Sequence, residues 1–273
     1  RRPAGGSGRT ERAAAVSRGL AVITCASAGI GREFAEQLAG RGYDLLLVAR
    51  DRVRLTEAAG ALASTHGVET EAFQADLTRD DDVTRLAERI AASPRLALLV
   101  NNAGFGTLGR LAEVDPGKQV AMVRLHTLAP MRLTQAALPV LLRNRAGAVV
   151  NVSSVASFIY SAGKVNYCAT KAYLTTFSEG LAAEVAGTGV QVQALCPGFT
   201  RTEFHGRMAE PDRLPRLAWL SAQAVVEHSL RCLDRGGPTV SIPGLRFRIV
   251  VGIIRLMPRR LIGWITRRRY QRV

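Results

Sequence analysis

Seven short runs with strand character recur along the chain, each separated from the next by a stretch long enough for a helix. The runs are 20–24 (LAVIT), 44–48 (DLLLV), 70–74 (TEAFQ), 96–100 (LALLV), 147–152 (GAVVNV), 190–195 (VQVQAL) and 239–242 (TVSI). Helical patterning falls near 30–40, 51–65, 80–92, 117–143, 164–186 and 222–234. Parallel strands need a crossover of a dozen or more residues, so this alternation describes βαβ units. Unbroken apolar runs such as Leu45-Leu46-Leu47-Val48 suit strands covered on both faces. The expected fold class is therefore α/β, a doubly wound parallel sheet of about seven strands with helices on both faces. A chain of 273 residues is long enough to build it as one large domain. That domain is expected over 19–244, preceded by a flexible basic lead-in (1–18) and followed by a basic amphipathic extension (245–273).

The net charge of +15 is unevenly placed. Five arginines and one glutamate fall in residues 1–20, and eleven arginines and one aspartate fall in residues 231–273, which leaves a net +1 for residues 21–230. The body is nearly neutral and the ends carry the basicity. Four cysteines (Cys25, Cys168, Cys196, Cys232) are widely spaced without a C-x-x-C pair, which argues against a metal site or a disulfide framework and fits a reducing, cytoplasmic setting. They are expected to be buried small hydrophobes. Arg18 interrupts the apolar run of residues 13–28, which argues against a cleavable signal. No run of 18 apolar residues exists to span a membrane.

In a sheet of this type ligands gather beyond the carboxyl ends of the strands, near the reversal of strand order. Residues directly after strands are therefore the candidates for chemistry. The first strand runs into T-C-A-S-A-G-I-G (24–31), whose glycines would let backbone approach a pyrophosphate at a helix N-terminus. Tyr167-Cys168-Ala169-Thr170-Lys171 places a phenol and an ammonium one helical turn apart. A nearby cation favours the phenolate, so such a tyrosine can exchange a proton with a carbonyl or alcohol. Ser154 follows the fifth strand, 13 residues before Tyr167, where it could donate to the same oxygen or simply form a turn. Arg50 closes the second strand with no carboxylate before Asp51. Its planar fork can pair with a ribose 2′-phosphate, so NADP is favoured over NAD unless Arg50 is only a solvated helix-start residue.

With N-N-A-G (101–104) after the fourth strand and P-G-F-T (197–200) after the sixth, the ordered set resembles the short-chain dehydrogenase/reductase family over residues 19–242. That resemblance implies a Rossmann fold and a carbonyl reductase or alcohol dehydrogenase. It makes Tyr167 the proton donor or acceptor, Lys171 the group that lowers its pKa and holds the nicotinamide ribose, and Ser154 the residue that orients the reacting oxygen. Thr24, Ser27, Gly29, Ile30 and Gly31 would surround the adenosine and pyrophosphate, with Asp76 and Leu77 flanking adenine. Asn102, Ala103 and Gly104 would line the cofactor floor, and Pro197, Gly198 and Thr200 would face the nicotinamide. The helices near 117–143 and 164–186 would form the interface of a homodimer or homotetramer.

Two positions depart from the pattern. Cys25 replaces the first loop glycine, and a Cβ there costs on the order of 1 kcal/mol if φ is positive. This is expected to weaken cofactor binding rather than abolish it. His126 stands where the family carries an asparagine, and it could relay a proton or simply be hydrogen-bonded inside its helix. A cofactor-binding sensor or scaffold with little turnover is the rival reading, and the intact Ser154, Tyr167 and Lys171 argue for the enzyme. The resemblance places a substrate lid over the loop 200–220, whose Phe204, Met208, Leu214, Leu217 and Trp219 either favour an apolar substrate or only pack the lid onto the body. Family members with a hydrophobic, basic C-terminal extension look like reductases of lipid-like or fatty-acyl ketones. In the extension, Ile249, Ile253 and Leu256 can share one helical face and Leu261, Trp264 and Ile265 another, with Pro258 between them. Three settings remain open for it: an anionic membrane surface, which would place the protein peripherally on the inner membrane face; the substrate pocket; or another subunit. Nucleic acid is disfavoured, since no aromatic-interleaved motif accompanies the arginines.

Overall fold

The computed structural model describes residues 17–202 and 219–270. Seven parallel strands form one sheet in the order β3-β2-β1-β4-β5-β6-β9. They are β1 (Leu20–Thr24), β2 (Asp44–Ala49), β3 (Thr70–Gln74), β4 (Leu96–Asn101), β5 (Ala148–Val152), β6 (Gln191–Leu195) and β9 (Val240–Ser241). A separate parallel pair, β7 (Thr200–Arg201) with β8 (Leu220–Ser221), lies beyond β6 in the chain. Every strand expected from the sequence is present within one or two residues of its expected bounds.

Two apolar layers cover the sheet. On one face α1 (Gly29–Gly40), α2 (Arg52–His66) and α7 (Ala222–Asp234) bury Phe34, Leu38, Leu55, Leu62, Val226 and Leu230. On the other, α3 (Asp80–Ala91), α5 (Ala129–Asn144) and α6 (Val165–Glu184) bury Leu86, Ile90, Leu133, Val140 and Leu181. β2 is buried along its whole length, as its unbroken apolar run requires. The one acid in that strand, Asp44, is held by Arg95 at 2.7 Å and by the Ser17 hydroxyl at 2.7 Å, which together with the Glu69 amide keep its carboxyl below the usual range despite burial. Strand order reverses between β1 and β4, so the carboxyl ends of these two strands frame the crevice where ligands of such sheets bind.

The helix expected over 117–143 is not continuous. α4 (Pro116–Val123) passes into one π-helical turn, Arg124–Leu128, before α5 begins. An extra residue in a helical turn redirects side chains, and such turns cluster at functional sites. Here the turn carries His126 inward, where it is only 1 % exposed. The cysteine expectation needs a similar correction. Cys168 and Cys196 are buried, but Cys232 is half-buried and Cys25 is exposed on the loop after β1.

The extension forms two helices, α8 (Leu245–Leu256) and α9 (Arg259–Tyr270), separated at Pro258. Residues 203–218, which hold most of the expected lid including Phe204, Met208, Leu214 and Leu217, lie outside the described residues, as do 1–16 of the lead-in.

Candidate active site

The loop after β1 is built around one hydroxyl. Thr24 Oγ1 accepts from the amides of Asn102 (2.9 Å) and Ala103 (3.0 Å) and donates to the Val100 carbonyl (3.3 Å). This pins the end of β1 to the end of β4 at the point of reversal. Asn102 Nδ2 in turn donates to the carbonyls of Thr24 (3.0 Å) and Cys25 (3.5 Å). Cys25 has φ +55°, the left-handed region in which a Cβ is strained. The turn the missing glycine would have eased is therefore made by cysteine, with its carbonyl gripped by Asn102. Gly31 cannot be replaced so easily: a Cβ there would lie 2.3 Å from the Cys25 oxygen and 2.5 Å from Asn102 Nδ2. Ser27 and Gly29 are half-buried beside it, and Ile30 packs against the apolar layer beneath α1. The N-cap of α1, Ala28, offers no side-chain hydrogen bond, and its first turn holds no acid, so this helix end suits an anion.

Arg50 is exposed directly after β2, and no ion pair of its guanidinium is found among the described residues. The neighbouring carboxylate is occupied: Asp51 caps α2, its Oδ1 accepting from the Arg54 amide at 3.1 Å. Asp76 ends the loop after β3, where it accepts from the Thr78 amide and hydroxyl (3.0 and 2.8 Å), and Leu77 is buried beside it. These residues arrange a cradle, an open helix end and an unpaired cation along the carboxyl edge of β1 and β2. The donor set fits a dinucleotide.

Beyond the crevice, α6 presents Tyr167 and Lys171 on one face, with Lys171 Nζ 5.9 Å from the tyrosine ring centroid. Lys171 is 5 % exposed and donates to the Val152 carbonyl at 2.8 Å. Burial brings its pKa down to about 8. Val152 is two residues before Ser154, so the lysine is fastened to the strand end that carries the serine. The structure also separates the two adjacent serines. Ser153 is buried, donating to the Lys171 carbonyl (2.9 Å) and bonded to Thr175 (2.8 Å), whereas Ser154 is half-buried and caps the short 3₁₀ turn Val155–Phe158 through the Ala156 amide (3.1 Å). The Val155 amide donates to the Pro197 carbonyl at 3.1 Å, which ties the serine loop to the 197–200 loop. There the buried Thr200 turns its hydroxyl back onto the Gly198 carbonyl (3.0 Å).

His126 touches the same tyrosine. Its ring packs edge-on against Tyr167 (5.9 Å between centroids) and Phe105 (6.1 Å). The Phe105 amide donates to Nε2 at 3.1 Å, so that nitrogen carries no proton. Nδ1 lies 3.0 Å from Thr170 Oγ1, whose own proton goes to the Tyr167 carbonyl at 3.1 Å. The network assigns the proton to Nδ1 and leaves neither ring nitrogen for a water. Burial, and secondarily the Lys171 charge, holds the imidazole pKa well below its ordinary value. Gly104 makes room for the ring, since a Cβ there would sit 2.8 Å from Nε2. Sequence reasoning named His126 but missed Thr170 and Phe105, because nothing in their spacing marks them as partners of a residue 44 or 21 positions away. A buried ladder was missed likewise: Asn101 Nδ2 donates to Asn151 (2.8 Å) and Asn151 Nδ2 to Ser178 (2.9 Å), joining β4, β5 and α6 beneath the site.

Residues 19–213 match the family model described as short chain dehydrogenase. The chain belongs to that family. Among its relatives is the oxidoreductase YmfI of Bacillus subtilis, 35 % identical over 194 residues that span 71 % of this chain and 79 % of that one. A 3-oxoacyl-[acyl-carrier-protein] reductase of Staphylococcus aureus is 33 % identical over 191 residues, 70 % of this chain and 78 % of the other. The solved short-chain dehydrogenase from Sphingobium yanoikuyae in complex with NADPH is 38 % identical, with a TM-score of 0.80 over 86 % of this chain and 93 % of that one. As a short-chain dehydrogenase the chain is an oxidoreductase, and its seven-stranded parallel sheet matches the fold of these relatives. A cavity of about 300 Å³ lined by Arg18, Arg95 and Asn144 opens at the amino ends of β1 and β4. That is the opposite edge of the sheet, and it has no part in this site.

Proposed function

We propose that this short-chain dehydrogenase is an NADPH-dependent reductase of a hydrophobic, lipid-like carbonyl, or oxidises the matching alcohol. It would work as a homodimer or homotetramer, with its extension at an anionic membrane surface. The observation that carries the redox reading is the joint placement of Tyr167 and Lys171 on α6 against the strand end bearing Ser154. Thr24, Ser27, Gly29, Ile30 and Gly31 would hold the pyrophosphate end of the dinucleotide, Asp76 and Leu77 the adenine, and Asn102 to Gly104 with Pro197, Gly198 and Thr200 the nicotinamide half. The bound dinucleotide supplies the hydride.

The remaining work belongs to the chain. Tyr167 donates the proton to the developing alkoxide, and the Lys171 ammonium beside it stabilises the phenolate left behind. Ser154 holds the reacting oxygen. His126, locked neutral, keeps the tyrosine from rotating and adds no positive charge to compete with Lys171. Arg50, unpaired beside a carboxylate already committed to a helix cap, supports the choice of NADPH over NADH. The apolar substrate reading rests on the relative that reduces 3-oxoacyl chains and on the apolar character of the 200–220 loop.

Calorimetric titration with NADPH and, separately, NADH tests the cofactor. Micromolar NADPH binding with much weaker NADH binding is expected, and equal affinity for both would remove Arg50 from the argument. Binding of neither nucleotide would favour the scaffold. For the chemistry, Tyr167→Phe should abolish turnover while leaving nucleotide affinity nearly intact; retained turnover would sink the proton transfer.

A further inference from the structure

The extension has two dissimilar faces. Its inner face is seated on the carboxyl edge of β5 and β6. Phe247 of α8 packs so closely on Gly198 that a Cβ there would lie 2.2 Å from the ring. Arg255 lies over the Phe158 ring at 4.7 Å, and Gly263 of α9 is pressed against Tyr160. Phe158 and Tyr160 follow Ser154 by four and six residues, so the two helices roof the ground next to the proposed reacting centre. Val251 of α8 and Ile262 of α9 are buried.

The outer face is apolar and open. Leu245, Ile249, Ile253 and Leu256 are exposed along one side of α8, Leu256 to 88 %, and Leu261 and Trp264 are exposed on α9. Spacings of four, four and three residues make the first four a single stripe. Arg248 and Arg260 are exposed beside it, and Arg246 and Arg255 stack on Phe247 and Phe158 at its margin. After Asp234 the chain contains no acidic residue at all.

We infer that this face docks on an anionic lipid bilayer and thereby holds the Ser154 end of the site beside the membrane, so that the carbonyl substrate is a membrane-partitioned one taken from the bilayer. The charge pattern selects the occupant. A second copy of the chain meeting this face about a two-fold axis would set arginines against arginines with no counter-charge. Nucleic acid would leave Ile249, Ile253 and Leu256 without apolar cover, whereas an interfacial helix buries such a stripe and places its arginines among anionic headgroups. Because the opposite face of the same helices covers the loop after Ser154, docking leaves the site at the lipid boundary. This inference extends the reductase reading and rests on it for the substrate, but not for the docking.

The test uses full-length protein and vesicles of phosphatidylcholine alone or mixed in equal parts with phosphatidylglycerol. Wild type is expected to sediment with the anionic vesicles only. The surface variant Ile249→Ser/Ile253→Ser/Leu256→Ser is expected to partition about 100-fold more weakly. In a Trp219→Phe background, brominated lipid should quench Trp264. With NADPH, anionic vesicles should speed reduction of 2-tetradecanone dissolved in them for wild type and not for the variant, while both reduce water-soluble cyclohexanone equally. Wild type that ignores anionic vesicles yet reduces cyclohexanone overturns the docking and leaves the reductase standing. A variant that dissociates an oligomer, with no vesicle binding by wild type, assigns the face to a second copy instead. Vesicle binding without any gain on the membrane-borne ketone overturns the substrate route. Vesicle binding with neither ketone reduced overturns the reductase reading, and the route falls with it.

Discussion

His126 permits a prediction in which stability curves cross. Glutamine can place an amide oxygen near the position of Nε2 and keep the bond from the Phe105 amide, but it cannot reach Thr170 and it does not titrate. At pH 7.5, His126→Gln should therefore cost about 1 kcal/mol, the net worth of one buried hydrogen bond. The folded-state imidazole is held well below its ordinary pKa of 6.5, whereas the unfolded chain releases it to that value. Below pH 6.5 the unfolded state thus binds a proton that the folded state refuses. The stability this site contributes is present above pH 6.5 and is lost as pH falls from there toward the folded pKa. One such proton is worth about 1.4 kcal/mol at one pH unit below 6.5. Wild type should lose that amount between pH 7.5 and 5.5 relative to the variant, so at pH 5.5 the variant should match or slightly exceed it. Urea unfolding of both proteins at the two pH values reads the difference directly. The other three histidines are common to both proteins and cancel. Parallel pH dependence in the two would show that His126 is protonated in the folded state, and the tautomer lock would be wrong.

Cys25→Gly relieves the strain at φ +55° but loosens the unfolded chain, for a net gain of up to about 1 kcal/mol; an unchanged or lower Tm would show that the left-handed turn costs nothing. Gly31→Ala must move the Cys25 carbonyl or Asn102 by about 1 Å, a strain of roughly 1–3 kcal/mol. Its signature is weakened NADPH binding together with a lowered Tm, and calorimetry showing wild-type affinity would contradict the cradle. Arg50→Ala should cost NADPH affinity by about tenfold or more, on the scale of a charge-assisted bond, and leave NADH nearly unchanged. Equal losses for both nucleotides would mean that Arg50 supports the loop and does not read a phosphate.

How much of this was legible in the sequence follows from the range of each interaction. The strands and their two-sided burial could be read because a parallel sheet writes its period locally, as β2 does with Leu45 to Val48. Tyr167 and Lys171 could be paired because four residues is one helical turn. The seating of His126 could not be foreseen, since its two bonds reach 21 and 44 residues along the chain and its direction depends on one extra residue in a π turn. The same limit explains the extension. Its stripe was visible in the spacing of Ile249, Ile253 and Leu256, but which side of α8 the body would cover depends on a bare patch at Gly198, and glycine writes no apolar signal. Phe247 fills that patch and buries the inner face, which forces the isoleucines outward. A residue as small as Gly198→Ala would therefore act at a distance. It would lift α8 from the serine loop, and turnover of a membrane-borne ketone should fall.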